Sequence, residues 1–370
     1  MKTIAFYLPQ FHRIPENDAW WGEGFTEWTN LKRAVPLFKN HYQPREPLNK
    51  NYYDLTDVDT IKWQAKIAKG NGVYGFCFYH YWFNGKLLLE KPLHLFRENM
   101  EININYCLCW ANENWTNGWV SDNNNILIDH DFEDKRDWKK HIDYFLGFFK
   151  DERYIMMDSK PVLIIYYPNI IKSLKKMMSF WNEEVVKAGY KGITFIFQHP
   201  YYYYDKKTDK SIFNYGIEFQ PGYSRLKRYN NNTMLQNIKI KFSTFLQKHL
   251  HIYLHIKKKL VKYDYDEIWE ELLSSSPEEY MFPGAFVDWD NTPRKGERGS
   301  VIVGASPEKF KEYYKRLIEK AKNIYKKEYI FIFAWNEWTE GGYLEPDEKY
   351  GYAYLNAIRD ALIETGEFPF

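Results

Sequence analysis

The chain has 370 residues, 45% of them hydrophobic, and a formal net charge of +2. That is enough chain to bury a large core and too little charge to steer it toward nucleic acid. Aromatic residues make up 19%, with 32 Tyr, 26 Phe and 14 Trp. An AT-rich genome enriches Tyr and Phe together, whereas Trp clustered beside Gly, Asn and Glu points to surfaces that stack on sugar rings. Cys77, Cys107 and Cys109 all lie in apolar runs, and an odd cysteine count suits a reduced compartment. The apolar run before Pro9 is too short for a signal segment and no run is long enough to span a bilayer, so the sequence reads as a cytoplasmic chain. No metal-ligand spacing is present, and neither metal nor cofactor is expected.

In chain order, apolar runs predict strands at Thr3–Leu8, Gly72–Tyr79, Asn105–Trp110, Pro161–Tyr167, Ile193–Gln198, Gly216–Gln220, Tyr280–Val287 and Tyr329–Trp335. Their near-continuous apolar character is that of strands buried on both faces, as in parallel sheets. Helical patterns fill most of the gaps, at Val58–Lys69, Pro92–Met100, Lys135–Lys150, Ser173–Ala188, Met234–Lys262, Tyr265–Leu273 and Pro307–Lys326, with Tyr350–Ile363 after the last strand. Repeated strand–helix units without a Gly/Ser-rich linker predict one α/β domain over residues 1–370, a (β/α)₈ TIM-type barrel with elaborated loops. A doubly wound sheet is the competing topology.

Barrel enzymes place their chemistry at the C-terminal ends of the strands. Those ends read "PQFHRIPENDAWWGEGFTEWTN", "HYWFNG", "WANENWTNGW", "QHPYYYY", "PGAFVDWDNTPR" and "WNEWTEGG", all rich in Trp, Tyr, His, Asn or Glu. The last contains Glu337 and Glu340. In a strand, residues three apart face opposite ways, but in a helix-like turn they stand about 5–6 Å apart at Cβ. Gly341 and Gly342 permit such a turn. Carboxyls about 5–5.5 Å apart suit retaining glycoside chemistry, and repulsion between aromatic walls raises one pKa, leaving an acid beside a base. Glu337 and Glu340 are the expected catalytic pair.

Glu113, between Asn112 and Asn114, is a rival for a catalytic role and otherwise binds a hydroxyl; Glu27 is expected to orient a loop or a sugar. His12, His80 and His199 sit just past strand ends, where each hydrogen-bonds substrate or serves structure. Tyr7 is expected to aim its hydroxyl into the mouth. Trp28, Trp82, Trp110, Trp335 and Trp338, with Asn112 and Asn336, complete the expected sugar-binding set. Asp288 is a further sugar contact, or with Asp290 and Arg294 anchors a loop. Between Gln220 and Tyr263 the chain carries ten Lys/Arg and no Asp or Glu. The basic segment 221–263 is either a solvated outer helix or a contact for anionic membrane or lipid-linked glycan.

Three segments resemble the WbsX family: "WWGEGFTEWTNLKRAVPLFKNHYQP" (Trp20–Pro44), "WANENWT" (Trp110–Thr116) and "AWNEWTEGGYLEPD" (Ala334–Asp347). WbsX proteins are described as glycosyltransferases of O-antigen and lipopolysaccharide biosynthesis. They look in turn like relatives of glycoside hydrolase family 99, the endo-α-mannosidases and endo-α-mannanases, whose Asn-Glu-Trp-x-Glu-Gly signature matches Asn336 to Gly341. The resemblance implies a retaining (β/α)₈ enzyme without a protein nucleophile. By it, Glu337 is the base on the sugar 2-hydroxyl, which attacks the anomeric carbon to give a 1,2-anhydro sugar. Glu340 is the acid on the leaving oxygen and then the base on water. "PGAFVDWDNTPR" departs from the family's Pro-Gly-Tyr segment, with Ala285 or Phe286 near the place of its tyrosine.

The expected activity is cleavage of glycosidic bonds of a polysaccharide or oligosaccharide. No Gly-rich turn opens a helix to cradle a nucleotide diphosphate, and "DVD" at Asp57–Asp59 reads as a helix cap rather than a metal motif. The alternatives are a glycosyltransferase or transglycosylase of O-antigen or lipopolysaccharide assembly, and a non-catalytic glycan-binding protein.

Overall fold

A computed structural model describes residues 1–116, 126–199, 209–225 and 260–370. Nine strands form one parallel ring: β1 (Lys2–Tyr7), β2 (Val73–Phe83), β3 (Asn105–Trp110), β4 (Lys160–Ile165), β5 (Thr194–His199), β6 (Tyr215–Glu218), β7 (Met281–Phe282), β8 (Gly284–Phe286) and β9 (Tyr329–Phe333). Their order is β7-β6-β5-β4-β3-β2-β1-β9-β8, so β1 lies between β2 and β9, with Ile4 opposite both Gly75 and Phe331. The outer helices include α1 (Pro15–Trp21), α2 (Glu27–Arg33), α3 (Val58–Gly70), α4 (Lys91–Glu98), α5 (Lys135–Phe149), α6 (Leu174–Lys187), α7 (Tyr265–Ser274), α8 (Thr292–Lys295), α9 (Pro307–Lys320) and α10 (Ala353–Glu364). This is the expected (β/α)₈ architecture.

The ring closes in an unexpected way. The seventh stave, predicted as one strand over Tyr280–Val287, is broken at Pro283. Before the proline, Met281 and Phe282 pair with Gly216 and Ile217 of β6; after it, Gly284–Phe286 pair with Phe331–Phe333 of β9. Proline has no N–H to give a ladder, so the stave changes partner there. Gly284 allows the swap, since a Cβ at that position would lie 1.8 Å from the Glu218 carbonyl oxygen.

Alternation along the strands sorts the aromatic residues. Phe6 points into the barrel, its ring 5.5 Å from Tyr79, 5.2 Å from Phe219 and 6.1 Å from Phe331. Tyr7 points outward onto Phe76 and Phe78. Outside, α5 buries Trp138, His141, Ile142, Phe145 and Phe149 at helical spacing. The Asp57 carboxylate caps α3 by accepting from the Asp59 N–H.

Most of the basic segment 221–263, and with it the expected helix at Met234–Lys262 and the expected lipid contact, falls outside the described residues. Its last residues are not helical: Val261–Asp264 pairs in parallel with Ser300–Val303. No helix among the described residues is long and apolar enough to cross a membrane. Because the closure at β8 leaves no room for a methyl group, Gly284→Ala is expected to destabilise the fold by about 1–3 kcal/mol or more. Urea or thermal denaturation checks this, and an unchanged midpoint would contradict it.

Candidate active site

The segment after β9 organises the site. The Trp335 N–H donates to the Phe6 carbonyl at 2.7 Å. The Asn336 side chain then accepts from the Leu8 N–H at 2.8 Å and donates to the Leu8 carbonyl at 3.0 Å, joining the exits of β1 and β9. Asn336–Glu337 pairs antiparallel with Gly342–Tyr343, and between them Trp338–Glu340 forms a 3₁₀ turn. Gly341 ends the turn at φ 70°, and a Cβ there would lie 2.8 Å from the Asp290 nitrogen. Side chains three apart eclipse in a 3₁₀ turn, and Glu337 and Glu340 accordingly face one cavity.

That cavity holds about 860 Å³ and is also bordered by Glu27, Glu113 and Arg294. Arg294, on α8, is buried beneath the carboxylates. Its Nη1 donates to Glu340 Oε1 at 2.6 Å, while its Nη2 lies 3.1 Å from Glu27 Oε2 and 3.6 Å from Glu337 Oε2. Glu27 Oε2 also accepts from the Thr339 hydroxyl. Burial alone would lower the guanidinium pKa; Glu27, Glu340 and Glu337 outweigh it and raise it. Glu337 is pushed up to about 8, first by burial, then by the charge of Glu340, with Arg294 pulling the other way. Its Oε2 has no hydrogen-bond partner among the described residues. The geometry therefore offers a carboxyl that holds a proton near neutrality beside one ion-paired to arginine.

Asp290 fixes the loop that carries Arg294. Leu37 N–H donates to His41 Nδ1, which leaves His41 Nε2 as the donor to Asp290 Oδ2 at 2.7 Å. Gln43 Nε2 and Thr292 also donate to this carboxylate. Burial opposes the charge, but these bonds and Arg45 hold Asp290 down at about 2. Its own N–H donates to the Glu340 carbonyl at 2.7 Å, tying the two loops together.

Of the expected site residues, Glu337, Glu340, Glu27 and Glu113 border the cavity. The others face elsewhere, each for a definable reason. Tyr7 turns away from the mouth and donates to Gln64 on α3 at 2.6 Å. His12 donates from Nδ1 to the Pro9 carbonyl, a local turn. Trp28 packs on Phe11, Tyr53 and Trp338 and donates to the Tyr53 carbonyl. His80 and Trp82 belong to β2, which runs on to Phe83, and their parity points them outward. There His80 shares a hydrogen bond with His141 and Trp82 stacks on it at 4.5 Å. Trp110 also points outward, to His141 and Trp181. Asn112 clamps Tyr167, donating to its carbonyl and accepting from its N–H. His199 is buried against Phe197 and Tyr223. Asp288 accepts from Arg45 at 2.7 Å, so it anchors a loop with Arg45 rather than with Arg294. Trp335 is buried against Phe76; Asn336 is held by Leu8; Trp338 stacks on Tyr343 at 3.8 Å and donates to Glu345.

Tyr79, Tyr81 and Trp289 line the cavity, and none of them is among the residues expected from the sequence. Period-two alternation through a longer β2 selects Tyr79 and Tyr81 over His80 and Trp82. Arg294 pairs with the glutamates rather than with the aspartates beside it in the chain.

Comparison with known proteins places this arrangement. The model of the family described as Glycosyltransferase WbsX matches residues 3–358. The chain belongs to the WbsX family. The protein named WxcX in Xanthomonas campestris pv. campestris strain B100 is 34% identical over 367 residues, covering 97% of this chain and 49% of that protein. WxcX of a second strain is 33% identical over the same share of each chain. This WbsX-family chain thus spans about half the length of the curated relatives it matches. Among solved structures, the GH99 endo-α-mannosidase from Bacteroides thetaiotaomicron superposes with a TM-score of 0.55 at 13% identity, over 99% of this chain and 97% of that one. A glycoside hydrolase-like protein gives a TM-score of 0.57 at 12% identity, over 97% and 93%. At such identities the likeness is one of fold, and the barrel is shared.

The raised pKa of Glu337 has a consequence for stability. A carboxyl held at about 8 in the fold but near 4.5 when unfolded gives stability that is complete below 4.5 and lost as pH rises toward 8. Glu337→Gln removes that loss. Its melting temperature is expected to gain on the wild type between about pH 5 and 8 and to stop gaining above. A pH-independent difference would contradict the assignment.

Proposed function

We propose that this chain is a single-domain carbohydrate-active enzyme that cleaves glycosidic bonds of a polysaccharide or oligosaccharide with retention, through a 1,2-anhydro sugar. The observation that carries the reading is the pairing of Glu337 and Glu340 at one cavity, spanned by Arg294. The cavity volume is in the range of small-ligand sites. It adjoins a second cavity of about 510 Å³ through Glu113 and Asn114, which gives room for more than one sugar. The family resemblance supplies the roles.

Burial and the charge of Glu340 keep a proton on Glu337, and the pair is read as sharing that one proton. In the empty site that proton rests on Glu337. A sugar 2-hydroxyl donating to Glu337 Oε2, the oxygen without a partner, favours the charged form of Glu337 and passes the shared proton to Glu340. Glu337 then takes the 2-hydroxyl proton as that oxygen bonds to the anomeric carbon. The bond to the leaving oxygen breaks, and Glu340 protonates it. In the second half Glu340 takes a proton from water, whose oxygen opens the three-membered ring at the anomeric carbon, and Glu337 returns its proton to O2. Both halves invert, so the outcome is retention.

The second reading is transfer to a sugar acceptor, favoured by the family's description as a glycosyltransferase. Incubation with purified polysaccharides, with and without sugar nucleotides, separates the two by product mass. Oligosaccharide released without nucleotide supports cleavage, and dependence on a nucleotide donor would reverse the ranking. The third reading, a non-catalytic glycan-binding protein, would tolerate loss of Glu337 and Glu340 while keeping its affinity. The enzyme loses cleavage in that double variant.

Glu340→Gln is expected to lower turnover of ordinary glycosides roughly 10²-fold or more, with part of the loss recovered on an activated leaving group. Because the pair needs its one proton, kcat/KM of the wild type should fall as pH rises through about 8. A rate that climbs through that range would contradict the shared-proton mechanism.

A further inference from the structure

The cavity contains two arginines in opposite situations. Arg294 is saturated by three glutamates. Arg225, which lines the same cavity, has no carboxylate partner among the described residues. Its Nη1 donates to the Ser300 hydroxyl at 3.2 Å, and its guanidinium lies 5.2 Å from the ring centres of both Trp289 and Tyr263. Its Nε is buried without a hydrogen-bond partner among the described residues. Residues 226–259, next in the chain, contain no Asp or Glu to neutralise it.

A second, independent feature lies on the same wall. Gln220 is 1% exposed and borders the cavity. Its Oε1 accepts from the Ser224 N–H, which orients the amide, and its Nε2 has no partner among the described residues. Lys295 borders the cavity as well and makes no ion pair there among the described residues. Two buried groups here lack partners among the described residues, Arg225 Nε and Gln220 Nε2, and both are donors; Lys295 adds an exposed cation. A buried donor without a partner costs about 1–3 kcal/mol, and an aromatic-stacked guanidinium is a preferred receptor for carboxylate and phosphate oxygens. The same cavity also carries Glu27, Glu337 and Glu340, whose charge Arg294 already meets.

We propose that the glycan recognised here bears an anionic oxygen group, a uronate carboxylate or a phosphate ester, bound by Arg225, Gln220 and Lys295 while the reacting linkage lies at Glu337 and Glu340. Trp289 supplies the apolar face beside the anion. The proposal rests on the reading of this cavity as a glycan site, and it narrows the substrate to acidic sugars.

The test is binding without turnover, using D-glucuronate, D-glucose 6-phosphate and neutral D-glucose as probes of the wild-type chain and of Arg225→Gln, followed by ligand-observed NMR. At least one anionic probe is expected to bind the wild type roughly tenfold or more tighter than glucose, with the preference lost in R225Q and partly restored in R225K. The probe that shows the larger drop identifies carboxylate or phosphate as the source. Equal affinity for all three, or an anion preference that survives in R225Q, would overturn the proposal. Should R225Q fail to fold, chemical shift changes of the Gln220 side-chain amide on titrating each probe into the wild type decide it. A shift with an anion and none with glucose supports the site; no shift overturns it. Since no bond is broken in these measurements, absence of cleavage by Glu337 and Glu340 would leave this result standing, and the reverse also holds.

Discussion

One buried guanidinium facing three carboxylates sets the character of this molecule's mouth. Arg294 cannot neutralise Glu27, Glu337 and Glu340 together, and burial makes the residual negative charge unfavourable. The lowest-energy outcome is for the buried carboxyl with the weakest partners to keep its proton. Glu337, which makes the longest contact with Arg294, is the one that does so. A carboxyl that keeps its proton and one that is ion-paired thus stand at the two ends of one 3₁₀ turn.

The barrel is what makes this arrangement possible. Asn336 bridges β1 and β9 through the Leu8 backbone, so the turn starts from a fixed point. Asp290, held by His41 and Gln43, fixes the loop that delivers Arg294 and bonds the Glu340 carbonyl. Below, Trp338 donates to Glu345, a buried carboxyl raised to about 7 by burial and moderated by bonds from Trp338, Tyr53 and Gln64. Most of the tryptophans and asparagines in the signature segments therefore act on backbone and on each other. They position a few glutamates, while Trp21, Asn30, Asn114 and Trp115 of the same segments line the cavity.

The strands are legible in the sequence because each is apolar on both faces, and the turn that carries Glu340 is legible because glycines come directly after two glutamates three apart. Three things are not. Pro283 divides one apolar run between two neighbours, and an apolar run alone does not show which partner each half takes. His80 and Trp82 read as loop residues when β2 is ended too early, which inverts the parity and hides Tyr79 and Tyr81. Arg294 stands close in sequence to Asp288 and Asp290, but Arg45 and His41 from far upstream take those aspartates and free Arg294 for the glutamates. Charge pairing is settled by tertiary proximity, and sequence neighbours are only one source of it.

Glu337 and Glu340 feel one another's charge at the wall of one cavity. The most direct measurement is a carbon-13 NMR titration of the Glu337 side-chain carboxyl in the wild type and in Glu340→Gln. A midpoint near 8 is expected in the wild type, with a clear downward move when the neighbouring charge is removed. A midpoint in the ordinary carboxylate range in both proteins would contradict it.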